Sequence, residues 1–358
     1  MNRVIFGGGF DPIHLGHLNM ALAARDAFNA QVIFVPAQVA IWKDDSVDPE
    51  HKVNMINLAI QNYDGLVIDT YELEQKRQPY SIETLRYFQK KYPKDRLYLL
   101  IGQDQANSFH LWKEAEEIAK IAKIVYYFRP KYVVNQENVN KYQMQALEGP
   151  EIDVSSSEVR DLKSIRVPES VLDYIENHDL YFINKVKSLI KESRYIHSLS
   201  VAHLTYKIAK KHQLDYQKAY IAGLLHDIAK YIDKNESLSL MKKLYPDFVE
   251  IGAFAYHQFL GAKTAKEEFG VVDEEILDAI MYHATGKANM TWLGKLIYAI
   301  DKADPTRGYD SSALIKAVED NIDTGFVVVL KANVEFLLSK NINFNNRLTE
   351  ECLDFYLK

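Results

Sequence analysis

Val4-Ile5-Phe6-Gly7-Gly8-Gly9-Phe10-Asp11-Pro12-Ile13-His14-Leu15-Gly16-His17 joins a short apolar strand to a helix expected to begin near Gly16. The glycines permit a tight turn and a close backbone approach to a ligand, although an ordinary strand–helix connection needs them too. The helix start aims unpaired N–H groups and partial positive charge at the space beyond the strand. His14 and His17, three residues apart, fall on one side of that first turn, where imidazole donors suit the charge that builds up on phosphate oxygens. Neither a P-loop ending in Gly-Lys-Ser/Thr nor a Gly-x-Gly-x-x-Gly follows the strand, which sets aside the two commoner phosphate-binding designs. Displacement at phosphorus, as in nucleotidyl transfer, is the chemistry this stretch suits.

Working outward, β-branched and aromatic runs at 32–35, 66–68, 97–101 and 124–128 read as buried strands alternating with helical patterns. Such alternation predicts an α/β, doubly wound parallel sheet that binds ligands beyond the carboxyl ends of its strands. Gly102-Gln103-Asp104 falls at one such end, and Ser155-Ser156-Ser157 precedes a helix containing Arg160. Residues 171–175 read as a closing helix and 177–184 as a short connection. From about residue 185 only helical periodicity remains, so the second half is expected to be an all-α bundle, with domains at 1–184 and 185–358.

The 358 residues exceed what one core usually serves. A net charge of −6 argues against a nucleic-acid surface, leaving small-molecule chemistry. Cys352, the single cysteine, excludes an internal disulfide and suggests a reducing, cytoplasmic setting. No apolar run approaches the ~20 residues of a membrane span, and Met1-Asn2-Arg3 leads into a strand instead of a signal peptide. Composition leaves homo-oligomers open.

Residues 1 to about 181 resemble the bacterial nicotinate-nucleotide adenylyltransferases. The carrying segments are Gly8 to His17, Trp42-Lys43, 51–55, Tyr80-Ser81-Ile82-Glu83-Thr84, Gly102-Gln103-Asp104, 109–112 and 154–160. These are Rossmann-like nucleotidyltransferases that join ATP to nicotinate mononucleotide with Mg²⁺ as helper. The resemblance implies in-line attack on the α-phosphorus, with Gly8, Gly9 and Phe10 along the nucleotide and His14 and His17 on its phosphates. Lys43 would serve as a mobile cation, and Ser156, Ser157 and Arg160 would take the outgoing pyrophosphate. Asp104 would accept from a ribose, while Trp112, Tyr80 and Ser81 would orient the pyridine ring. Read as residues alone, Ser155 to Glu158 is also a capping box, Asp104 a helix cap and Trp112 a core aromatic. A pantetheine-phosphate or glycerol-phosphate transferase is the alternative for this half.

The second half carries His197, the adjacent pair His226-Asp227, His257, His283 and Asp301, all in predicted helices or at their ends. A carboxylate beside an imidazole within an apolar segment is costly unless something compensates, and a divalent metal compensates both. Residues 186 to about 345 resemble the HD-domain hydrolases, more closely the bacterial subfamily that cleaves diadenosine tetraphosphate symmetrically into two ADP. The resemblance rests on 194–198, 223–230, Tyr256-His257, 282–286 and 298–307. It implies a first metal on His197, His226, Asp227 and Asp301, and a second on His257 and His283 with Asp227 bridging. Iron is the expected ion, with manganese or cobalt as alternatives. Lys230 and Arg307 would meet the polyphosphate oxygens. Asp304 stands where glutamate is usual. Another HD phosphohydrolase, acting on a guanosine alarmone, a cyclic dinucleotide or a deoxynucleotide, or a nucleotide sensor, remains the alternative.

Overall fold

A computed structural model describes residues 1–38, 47–128, 133–150, 152–342 and 346–358. The chain divides into two compact units, Met1–Arg160 with Ser164–Tyr181, and Asp161–Lys163 with Phe182–Lys358.

The first unit is a six-stranded parallel sheet: β1 (Asn2–Gly8), β2 (Ala30–Pro36), β3 (Leu66–Ile68), β4 (Arg96–Gly102), β5 (Lys123–Tyr127) and β6 (Gln145–Leu147). Their order is β3-β2-β1-β4-β5-β6. The central strands read as continuous apolar runs because helices cover both faces: Val32, Ile33, Phe34 and Val35 are all buried. The order reverses between β1 and β4, so the crevice beyond their carboxyl ends is the switch point at which such sheets bind ligands. The Gly9-to-His14 turn follows β1 and the Gln103–Ser108 helix follows β4, which places both predicted clusters there.

Two elements differ from the sequence expectation. β6 was not anticipated, because Gln145-Ala146-Leu147 has one large apolar residue, too little to form a pattern. The span 177–184 is not all connection, since the Phe182–Leu189 helix starts inside it and buries Phe182, Ile183 and Val186. The helix expected near Gly16 runs Leu15–Phe28, with His14 as its N-cap.

The second unit is wholly helical among the described residues. Its helices Glu192–Lys211 and Tyr216–Leu225 meet closely at Gly223, where an added Cβ would lie 2.7 Å from Ala202 Cα and 2.9 Å from Ala202 N. Backbone cannot retreat as a side-chain tip can, so Gly223→Ala is expected to destabilise the protein by about 1–3 kcal/mol, read as a lowered melting temperature. An unchanged melting temperature would show that the two helices slide apart freely. Among the described residues no helix is long and apolar enough to cross a membrane.

Candidate active sites

At the end of β1 the chain turns through Phe10 (φ 45°) and the Asp11–Pro12 peptide into the Leu15–Phe28 helix. An added Cβ on Gly8 would meet Phe10 Cζ at 3.0 Å, so glycine lets the Phe10 ring fold under the turn. That ring is 1 % exposed and packs edge-on against Phe6 and Phe34. Phe10 is therefore a packing side chain, and only its backbone faces the role the sequence suggested for it. Gly9 is exposed, and among the described residues a Cβ added there would meet nothing within 4 Å.

His14 and His17 cap each other. The His17 N–H donates to His14 Nδ1 (3.3 Å), the His14 N–H donates to His17 Nδ1 (3.4 Å), and the rings stack at 3.6 Å. Because both Nδ1 atoms accept, a neutral ring of either carries its proton on Nε2. Two orphan amides of the helix start are thereby satisfied, and two imidazole N–H donors are fixed in one tautomer.

Ser155 N-caps the short helix Ser156–Arg160, accepting from the Glu158 N–H while Glu158 accepts from the Ser155 N–H (2.7 Å). Ser156 Oγ donates to the Pro12 carbonyl (2.9 Å) and Arg160 Nη1 to the Asp11 carbonyl (2.5 Å). Ser157 Oγ lies 3.1 Å from Ser155 Oγ. The predicted pyrophosphate residues are thus tied to the turn that carries the histidines. Tyr181, which sequence reasoning missed, donates its hydroxyl to Asp11 Oδ1 (2.6 Å). Asp104 is exposed in the first turn after β4, and Gln105, not Asp104, takes the Gly102 N–H (3.0 Å). Tyr80, Ser81 and Trp112 share a cleft of about 280 Å³ with Pro79, Leu111 and Lys113. Trp112 also packs on Phe109, their ring centres 5.1 Å apart, so its ring lines the cleft and packs against the core at once. Lys43 lies outside the described residues.

In the second unit six side chains converge. His197 comes from the helix Glu192–Lys211, His226 and Asp227 from the turn after Tyr216–Leu225, and His257 from the first turn of Tyr256–Glu268. His283 follows Glu274–Met281, and Asp301 sits in the last turn of Trp292–Ala303. All are 8 % exposed or less. His197, His226, Asp227 and Asp301 offer ligand atoms within 4.8 Å of one another, and Asp227, His257 and His283 do the same. Asp227 joins the groups: Oδ2 lies 3.5 Å from His226 Nε2, Oδ1 3.1 Å from His257 Nε2 and 3.5 Å from His283 Nε2.

These residues fit a divalent cation on their own chemistry. His226 Nδ1 donates to the Gly223 carbonyl, His283 Nδ1 to the Ile280 carbonyl and His197 Nδ1 to Asp304 Oδ2, each at 2.7 Å. With Nδ1–H committed, Nε2 is the lone-pair nitrogen of each neutral ring. Yet His197 and His226 bring their Nε2 atoms to 3.2 Å, and His257 and His283 to 3.3 Å. Ring nitrogens this close share a positive centre, either a proton or a metal ion. Asp227 Oδ1 is also buried without a hydrogen bond, an orphan that a cation would satisfy.

Burial pushes the His283 imidazole down to about 3 and lowers His257, keeping both neutral ligands. For His226, burial is outweighed by Asp227 and Asp301, which lift it to about 9. Below that pH its Nε2 carries a proton that a metal ion must displace. Uptake of Mn²⁺ at pH 7 is expected to release about one proton and to tighten as pH rises toward 9. Titration in weak buffer with a pH electrode reads this directly, and uptake without proton release would contradict it.

Four cations ring the carboxylates. Arg194 Nη1 donates to Asp227 Oδ2 (2.8 Å), Lys302 Nζ to Asp301 Oδ2 (2.8 Å), and Arg307 Nη2 to Asp301 Oδ1 (2.5 Å). Lys230 Nζ donates to His257 Nε2 (2.9 Å). Lys230, which the sequence offers both as a catalytic residue and for substrate oxygens, and Arg307, which it offers for substrate oxygens, therefore contact ligand atoms directly. Arg194 and Lys302 were missed, because long basic side chains on helices read as solvated. Asp304 was noted in the sequence without a role. It is fully buried and accepts from His197 Nδ1, Ser200 Oγ and Thr306 Oγ1. Asp304→Ala should weaken Mn²⁺ binding about 10–100-fold, the usual cost of losing the group that orients a ligand histidine, with Asp304→Glu retaining most of it. Wild-type affinity in the alanine variant would remove this orienting role.

Residues 5–162 match the cytidylyltransferase-like family model, and 194–323 match the HD domain. A Mycoplasma genitalium protein described as a probable nicotinate-nucleotide adenylyltransferase/Ap4A hydrolase is 28% identical over 92% of this chain and 96% of its own length. A Rhodopirellula baltica protein described as a probable nicotinate-nucleotide adenylyltransferase is 34% identical over 49% of this chain and 92% of its own. Among solved structures, a Clostridium acetobutylicum protein described as a predicted HD superfamily hydrolase involved in NAD metabolism is 28% identical, with a TM-score of 0.45, covering 49% of this chain and 96% of that one.

Proposed function

The chain belongs to the nicotinate-nucleotide adenylyltransferase family and continues into an HD domain, and from that premise we propose a bifunctional enzyme. Its first half transfers AMP from ATP to nicotinate mononucleotide, releasing pyrophosphate, and its second half hydrolyses diadenosine tetraphosphate to two ADP.

The observation that carries the transferase reading is the reciprocal cap of His14 and His17 at the β1/β4 switch point. The mononucleotide phosphate oxygen attacks the α-phosphorus of ATP in line, and the bond to the pyrophosphate oxygen breaks as the new one forms. His14 and His17 donate from Nε2 to the charge growing on the phosphates. Gly8 and Gly9 let the backbone approach the nucleotide alongside Phe10. Lys43 adds a cation, and Ser156, Ser157 and Arg160 receive the departing pyrophosphate. Asp104 accepts from the ribose, while Tyr80, Ser81 and Trp112 hold the pyridine ring in their cleft. Mg²⁺ bound with ATP would offset triphosphate charge.

The observation that carries the hydrolase reading is the Asp227 carboxylate shared between two ligand groups. His197, His226, Asp227 and Asp301 would hold one ion, and Asp227, His257 and His283 a second; the mixed nitrogen–oxygen donors suit iron, manganese or cobalt, and the resemblance to the HD-domain hydrolases favours iron. A bound ion supplies a water of lowered pKa and takes up phosphate charge. Lys230 and Arg307, already in contact with the ligand atoms, are positioned to transfer their hydrogen bonds to substrate oxygens.

The test is a substrate panel on one preparation: nicotinate mononucleotide, nicotinamide mononucleotide and phosphopantetheine with ATP, and diadenosine tetraphosphate alone. Fastest turnover with nicotinate mononucleotide and ADP as sole product of the tetraphosphate are expected. No turnover with either mononucleotide removes the first activity, and ATP plus AMP as products removes the second.

A further inference from the structure

Beside the ligand cluster opens a pocket of about 530 Å³, lined among others by Lys302, Arg307, Tyr309, Val329, Asn333 and Phe336. That volume falls in the range of small-molecule sites. Its chemistry is graded. Lys302 and Arg307 both bond to the carboxylate of Asp301, so one side of the pocket is continuous with the metal-ligating centre. Apolar side chains such as Val329 form much of the remaining wall.

Three side chains have no task in the hydrolytic centre. Phe336 is 53 % exposed and Tyr309 47 %, two aromatic rings presenting apolar faces to solvent. The Tyr309 hydroxyl donates to the Lys302 carbonyl (2.5 Å), which fixes that ring relative to the cationic end. Asn333 Nδ2 donates to the Tyr298 hydroxyl (3.3 Å), using one of the amide's two donors and anchoring the group. A ligand that complements all of this has a flat ring for the aromatic faces, polar ring edges for an amide, and an anionic tail for the cations. A purine nucleoside polyphosphate has these three parts. A lipid would leave Asn333 unmatched, and a peptide would leave the paired cations beside the metal ligands unmatched.

We propose that this pocket receives the nucleoside of the polyphosphate substrate. The base lies against Phe336 and Tyr309, its edge is read by Asn333, and the phosphate chain passes Arg307 and Lys302 to the ligand cluster. The proposal rests on the reading of the HD half as a nucleoside polyphosphate hydrolase and adds to it the residues that select the nucleoside.

The experiment is titration calorimetry on the full chain loaded with Mn²⁺, using ADP and inorganic pyrophosphate as probes. The transferase half also takes adenosine phosphates, so ADP should bind in two components, one of which serves as an internal control. Phe336→Ala and Asn333→Leu are each expected to weaken the other component about tenfold, the scale of one lost base-stacking or edge contact, with little change for pyrophosphate. Phe336 is half exposed, so its variant should fold, and its melting temperature checks this. A single ADP component in the wild type, unchanged ADP affinity in both variants, or equal losses for ADP and pyrophosphate would each overturn the pocket. The two readings separate in the outcome. Symmetric cleavage of diadenosine tetraphosphate without the ADP pattern sinks the pocket alone, and the ADP pattern without cleavage sinks the assigned reaction alone.

Discussion

Asp227→Asn is expected to abolish hydrolysis of diadenosine tetraphosphate, with a fall of at least about 10³-fold, and to strip the protein of bound transition metal. The size follows from what the carboxylate does. A bound ion contributes several kcal/mol of transition-state stabilisation, and each 1.36 kcal/mol is a factor of ten in rate. Among the described residues Asp227 is the one that belongs to both ligand groups, so its loss weakens two positions together, whereas His257→Ala or His197→Ala would weaken one. Asparagine keeps the size but offers a neutral oxygen, while against the cost of burial the charged His226 imidazole holds the Asp227 carboxylate well below its usual pKa. The same substitution leaves Arg194, 2.8 Å from Oδ2, facing a neutral amide, so some loss of stability accompanies the loss of metal. Metal analysis, hydrolase rate and melting temperature on one preparation separate these effects, and the transferase rate serves as the internal control. A variant that retains its metal and more than a tenth of the hydrolase rate would show that the bridging carboxylate is dispensable.

How much of this is legible in the sequence depends on whether a residue's role is written in its neighbours along the chain or across the fold. The first five strands can be read because each is an apolar run, three-residue Leu66-Val67-Ile68 included, whereas β6 is Gln145-Ala146-Leu147, with one large apolar residue at its end. The Phe182–Leu189 helix hides because its eight residues span little more than two turns, with only Phe182, Ile183 and Val186 buried, too few to set a period. The helix start reads one residue late because histidine is not among the usual N-caps, and only the fold shows His14 and His17 exchanging capping bonds. Of the six ligand residues, His226 and Asp227 are visible because an acid beside a histidine in an apolar segment is costly unless it binds something, and His197, His257, His283 and Asp301 through the resemblance to the HD-domain hydrolases. What orients them is not visible. Asp304 reaches His197 across 107 positions and Arg194 reaches Asp227 across 33, distances over which no local pattern carries information. Phe10 shows the reverse failure: its place in a phosphate-binding motif suggests a ligand contact, yet its ring completes the core beneath the turn.

For the transferase half the largest effect is expected from His17→Ala, a fall in kcat of about 10²–10³-fold with nicotinate mononucleotide and ATP. That is the scale of removing one preorganised donor to a developing negative charge. Preorganisation is what this ring has. It stacks on His14 at 3.6 Å, meets the Phe10 ring edge-on at 4.9 Å, and has its Nδ1 engaged by the His14 N–H. Its tautomer and tilt are therefore set before substrate arrives, so the cost of orienting it is met during folding and not in the transition state. The substitution also removes one capping bond, worth about 1 kcal/mol of stability, which lowers the melting temperature by a few degrees without unfolding the enzyme at assay temperature. His14→Ala confounds the two effects more severely, since His14 is 5 % exposed and is itself the N-cap. The diagnostic is the split between kcat and KM: a donor that acts mainly in the transition state lowers kcat and kcat/KM together. His17→Ala with kcat within threefold of wild type, or with only a raised KM for ATP, would reduce His17 to a ground-state contact and leave Lys43 and Arg160 to carry the charge stabilisation.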